Sequence, residues 1–115
     1  MKEITILTEP ISVNRLYRGR RFLTREGSDA KERMAWEAKI QWGKKVLECP
    51  VMVSIVFHYR NPRRDRDGAL KGLLDCLQGV IWKNDSQIVE LHAWKMVDRS
   101  NPRIEMRIEE LSTPS

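Results

Sequence analysis

The 115 residues predict a small mixed α/β (α+β) domain, a β-sheet flanked by two main helices. Three observations carry this. The length and the 41% hydrophobic content supply one core and would starve two, so residues 1–115 read as one domain. Val51–Tyr59 is apolar on both faces at a period of two, as in a central strand covered by helix. Leu70, Leu73, Leu74 and Leu77 then recur at helical spacing, between runs that read as strands.

Each element follows from local chemistry. Glu3–Glu9 alternates around Ile4 and Ile6 and predicts a first strand ended by Pro10. Ser12–Arg21 reads as a basic loop and Arg21–Thr24 as a short strand. Gly27-Ser28-Asp29 opens a helix, with Asp29 and Glu32 as a variant capping box. Ala35, Ala38, Trp42 and Val46 extend that helix to about Leu47. Trp36 and Trp42 lie six apart and cannot share its narrow stripe, so one is expected in the core and the other at an interface. Pro50 breaks the chain before the central strand, and Asn61–Asp67 is a loop around Pro62. Gly68–Val80 is the leucine helix, with Cys76 on its buried side and Gly79 marking its end. Trp82–Ser86 is a turn, Gln87–Val97 a strand, Asp98–Pro102 a connection and Arg103–Leu111 the last strand. The order is β(β)αβαββ, with His58 and His92 placed in strands.

Several classes are excluded. No apolar run approaches the roughly 18 residues a spanning helix needs, so an integral membrane protein is not expected. The start MKEITILTEPIS has acids where a signal peptide needs a cationic-then-apolar order. Cys49 and Cys76 lack metal-ligand spacing, and reduced thiols in a cytoplasmic protein are the expectation. The net charge of +5 is unevenly spread. Arg15, Arg18, Arg20, Arg21 and Arg25 form one cluster without acids, and Arg60, Arg63, Arg64 and Arg66 form a second interrupted only by Asp65. Thirteen of the 21 cations are arginine, whose planar fork suits phosphate, so the clusters read as a nucleic-acid footprint or as a solvated basic surface.

The acids narrow the choice. No glutamate occurs between Glu48 and Glu90, and the four acids there are Asp65, Asp67, Asp75 and Asp85. Asp65 and Asp67 are two apart in an extended stretch and leave the same side of the backbone. Asp67 stands at the helix start, while Lys71 and Asp75 continue a polar stripe opposite the leucines. Asp85 follows the helix and meets the first pair only if its strand runs back beside the central one. Taken singly, these residues serve as a cap, turn residues and a solvated helix position. Brought together, they repel unless a divalent cation lies among them. An all-oxygen set selects a hard ion, Mg²⁺ or Mn²⁺. Such an ion activates water and stabilises the leaving oxygen in phosphodiester hydrolysis, with Lys71 facing the phosphate.

The string RRDRDGALKGLLD followed by VIWKNDSQI resembles the RusA family of Holliday junction resolvases, small phage and prophage endodeoxyribonucleases. That family carries an arginine-rich run into D-x-D-N-x-x-K, a later helical Asp, and a W-x-D-D-x-Q turn opening a strand. The matching residues are Arg63, Arg64, Asp65, Asp67, Lys71, Asp75, Trp82, Asp85 and Gln87. Pro10, Ser12, Asn14 and Tyr17 resemble its N-terminal element, and Lys95 matches a lysine in the strand after the acidic turn.

The resemblance implies a Mg²⁺-dependent homodimer that cuts four-way DNA junctions by paired nicks in recombination and repair. Asp65, Asp67 and Asp85 would be essential acids and metal ligands, Lys71 an essential cation and Asp75 a supporting acid. Arg15, Arg18, Arg20, Arg21, Arg63, Arg64 and Lys95 are the candidates for DNA contact. The family's Asn after the second Asp is Gly68 here, and the first Asp of its pair is Asn84. Asn84 keeps an oxygen and loses a charge, so the ligand role falls on Asp85 alone. A non-catalytic DNA-binding module and a structure-selective nuclease acting on flaps or forks are the competing expectations.

Overall fold

A computed structural model describes residues 2–7, 17–18, 22–23, 25–60 and 69–111. Its elements are β1 (Lys2–Ile6), β2 (Tyr17–Arg18), β3 (Phe22–Leu23), α1 (Arg25–Trp42), β4 (Val51–Tyr59), α2 (Ala69–Leu77), a 3₁₀ turn (Asp85–Gln87), β5 (Ile88–Val97) and β6 (Arg103–Glu110). β2 and β3 form a two-stranded ribbon; the other four strands make one mixed sheet in the order β1-β6-β4-β5. β4 is antiparallel to β6 and parallel to β5, with Val51 opposite Ile88 and Tyr59 opposite Val97. The expected α+β class, with two main helices on a small sheet, is what the chain forms.

Val51, Val53, Ile55, Phe57 and Tyr59 of β4 are all buried, as are Ile4 and Ile6 of β1 and Ile104, Met106 and Ile108 of β6. These odd and even sets share one sheet face and pack under α1 and α2, forming a single hydrophobic cluster. The opposite face carries the alternate residues, among them Ser54, Val56, Glu105 and Arg107, and among the described residues no helix covers it. Among the described residues no helix is long and apolar enough to cross a membrane.

Both helices stop short of the expected bounds, for the same reason. Gly43 has φ +60 and its amide donates to the Lys39 carbonyl (3.2 Å), a left-handed cap that ends α1 at Trp42 rather than Leu47. Val46 is therefore exposed, and the buried stripe is Ala30, Met34, Ala38 and Trp42. Trp42 is the core tryptophan and Trp36 is exposed. Gly79, at φ +88, reverses the chain after α2, which ends at Leu77 rather than Val80. On α2, Leu73, Cys76 and Leu77 are buried, with Leu70 and Leu74 partly so. Residues 8–16 and 61–68 lie outside the described set, and with them the Asn61–Asp67 loop and the first part of the expected Ser12–Arg21 loop, within which Tyr17–Arg18 forms strand β2 instead, paired with β3.

Candidate functional site

The polar side of α2 is built by helical spacing. Lys71 stands in its first turn, Asp75 four residues on and Gln78 just past its end; all three are exposed, opposite buried Leu73 and Leu77. After the Gly79 reversal the chain turns inward. Trp82 is wholly buried, and its flanks pin it to the segment before β4: the Leu47 amide donates to the Ile81 carbonyl (2.7 Å) and the Lys83 amide to the Leu47 carbonyl (3.1 Å).

That buried indole reaches the acid that follows it. Trp82 Nε1–H donates to Asp85 Oδ1 at 2.7 Å, and the Asp85 amide donates to Gln78 Oε1 at 3.1 Å. Asn84 caps the 3₁₀ turn: its Oδ1 accepts from the Ser86 amide (2.9 Å), while its own amide donates to Gln87 Oε1 (2.8 Å). Gln87 Nε2 donates to the carbonyls of Leu47 (2.8 Å) and Cys49 (2.9 Å). Every polar residue of the W-x-N-D-x-Q string thus braces one turn. Asp85 is held half-exposed, and its Oδ2 takes no partner among the described residues.

The predicted residues are placed as follows. Asp85 meets Gln78 just past the C-terminal end of α2, Asp75 stands three residues before Gln78, and Lys71 lies one helical turn before Asp75. Lys95 is exposed on β5, opposite Phe57 and hence on the helix side of the sheet. Arg18 lies in β2, with its backbone alone described. Asp65, Asp67, Arg15, Arg20, Arg21, Arg63 and Arg64 lie outside the described residues. Among the described residues no three His, Cys, Asp or Glu side chains are grouped to hold a metal ion. Asp85 offers one carboxylate oxygen without a partner among the described residues, a hard donor of the kind Mg²⁺ or Mn²⁺ takes.

Two features escaped the sequence reading. Gln78 couples α2 to the acidic turn; its signal was its place seven residues after Lys71 on the polar face. At the far end of the sheet, buried His58 bonds Glu105, which also accepts from Arg103 (3.2 Å), and Arg103 in turn donates to Asp98 (2.8 Å). The Arg103 guanidinium, with Ser100 and the Asn101 amide, holds the Asp98 carboxyl below the usual range. Burial pushes the Cys76 thiol up to about 11, so it remains protonated.

Residues 9–109 match the family described as Endodeoxyribonuclease RusA. The chain belongs to the RusA family. A relative from Aquifex aeolicus (strain VF5), the crossover junction endodeoxyribonuclease RusA, is 29% identical over 123 residues, covering 99% of this chain and 97% of its own. Membership in the RusA family makes this chain an enzyme, an endodeoxyribonuclease, and the expected kinship holds over nearly its whole length.

Proposed function

We propose that the chain is a Mg²⁺-dependent endodeoxyribonuclease that resolves four-way DNA junctions by paired, symmetric nicks and acts as a homodimer. The observation that carries the reading is the end-to-end similarity to the Aquifex crossover junction enzyme. Asp65, Asp67 and Asp85 would hold the ion, which when bound activates water and stabilises the leaving oxygen. Lys71, exposed on the first turn of α2, offers its ammonium to the scissile phosphate. Asp75, one turn further on, supports the local negative field that attracts the cation. Trp82 fixes the Asp85 carboxylate in one orientation, so the ligand needs no reordering when the ion arrives. A four-way junction presents two strands related by an approximate two-fold axis, which a two-fold dimer matches with one site for each.

The test is cleavage of a labelled four-way junction in Mg²⁺ and in EDTA, beside linear duplex, flap and fork substrates. Two symmetric nicks in Mg²⁺ and none in EDTA are expected. Asp67→Asn and Asp85→Asn should each lower the rate by at least 100-fold while leaving junction binding intact. Binding without metal-dependent nicking would reduce the protein to a DNA-binding module. Faster cutting of flaps or forks than of junctions would reassign the substrate.

A further inference from the structure

Helix α1 has three sides, and the fold accounts for two of them. Ala30, Met34, Ala38 and Trp42 fill the core. Glu37 and Gln41 clasp the outer strand β1: the Thr5 amide donates to Gln41 Oε1 (2.8 Å), the Thr5 carbonyl accepts from Gln41 Nε2 (2.6 Å), and the Leu7 amide donates to Glu37 Oε1 (2.9 Å). The third side exposes Arg33, Trp36, Lys39 and Ile40. Trp36 is 63% exposed, an indole that the core does not use. With Glu32, Arg33, Ala35, Lys39 and Val80 it lines an open groove of about 550 Å³, within the range of small-ligand sites. Arg33 and Lys39 stand three residues either side of Trp36, each about 4.5 Å from it along the helix axis. Neither has an ion pair or hydrogen bond among the described residues. Val80 follows the reversal at Gly79, directly after Gln78, whose Oε1 accepts from the Asp85 amide (3.1 Å). The groove and the acidic turn are therefore carried by the same stretch of chain.

We propose that this groove binds one unpaired nucleotide of the DNA, its base stacked on the Trp36 indole and its flanking phosphates on Arg33 and Lys39. The proposal rests on the function argued above, which supplies DNA as the ligand, and adds a contact that an intact duplex cannot make. Inside a duplex the base faces are covered by their neighbours, whereas an unpaired base leaves the stack at least cost. An aromatic face with cations beside it takes such a base whatever its identity, because every base has a π-face. Charge favours a nucleotide over an apolar peptide, since the groove sets two cations without described partners against Glu32 alone. Area argues against a folded protein. Of the described side chains on α1, only Trp36 and Ile40 are large, apolar and exposed. Two such side chains make a patch of at most a few hundred Å², against the roughly 1,200 Å² at which stable interfaces begin.

The experiment titrates the tryptophan fluorescence of the full chain in EDTA, with a short oligothymidylate and with a blunt duplex of the same length. The single strand should quench the emission and the duplex should not. Trp42 and Trp82 are buried, so Trp94 is the other tryptophan that solvent reaches. Trp94→Phe should keep the quenching. Trp36→Phe should lose it while holding single-strand affinity within about 3-fold, because a phenyl ring still stacks. Trp36→Ala should weaken single-strand binding about 5- to 100-fold, with duplex binding and circular dichroism unchanged. Arg33→Gln and Lys39→Gln should each lower the slope of log single-strand affinity against log salt by about 0.7. Quenching that survives Trp36→Phe, wild-type single-strand affinity in Trp36→Ala, or equal losses on strand and duplex overturns the proposal. So does a Trp36→Ala chain that sediments differently without DNA yet binds the oligonucleotide as before, which gives the groove to protein. Cleavage enters none of these readouts. A chain quenched by single strands that cuts no junction loses the resolvase reading and keeps the groove; a chain that resolves junctions without quenching does the reverse.

Discussion

The indole of Trp82 closes the core with its ring and orients Asp85 with its N–H, so one residue links stability to the site. For Trp82 the sequence favours covering the core at the helix end over stacking on a base. Burial decides for the core, and the hydrogen bond explains why a tryptophan rather than a phenylalanine stands there. Trp82→Phe keeps most of the buried ring and leaves Asp85 Oδ1 without its donor. We expect the Mg²⁺ concentration for half-maximal nicking to rise about 10- to 100-fold, the usual effect of removing a hydrogen bond that orients a metal ligand. Junction binding in EDTA should not change. A wild-type Mg²⁺ midpoint would show that the N–H does not tune the acid. Asp85 was legible as a candidate because its string is specific, whereas its support by Gln78 depends on the angle at which the chain leaves Gly79, which no local pattern encodes.

At the scale of elements, β4 was legible to the residue because its period-two pattern is bounded by Pro50 and by the change to polar residues after Tyr59. Helix ends were less so: Gly79 was legible as the stop of α2, whereas the left-handed Gly43 overrides propensity that would carry α1 further. The β5–β6 connection was legible as a turn, but not its electrostatics. Asp98 accepts from Arg103, Ser100 and the amide of Asn101, and these partners favour its charged form. Since its folded-state pKa is depressed, its stabilising contribution is fully present above the unfolded value near 4 and is lost as pH falls through the lower folded value. Melting temperatures measured from pH 7 to pH 2 should therefore fall more steeply for the wild type than for Asp98→Asn, which starts lower at pH 7. Parallel curves would mean that the turn is held by its backbone alone.

Over the whole molecule, the described cations fall differently on the two faces of the sheet. On the open face Arg103 is paired with Asp98 and Glu105, and Arg107 with Glu3, so the face presents neutralised cations. Lys71 and Lys95 are exposed on the helix side. We expect phosphate contact on that side, an expectation that composition could not supply because pairing depends on the β1–β6 register. Lys95→Gln should weaken junction binding and reduce the slope of log affinity against log salt by about 1, whereas Arg107→Gln should leave the slope unchanged. Equal effects would place DNA on both faces. The clasp of Gln41 and Glu37 on β1 has a last consequence. A sheet with two bare margins adds copies without limit, as fibres do; one whose first margin is already sealed can grow in a single direction. The polar side of α1 thus closes the β1 margin of this sheet to such growth.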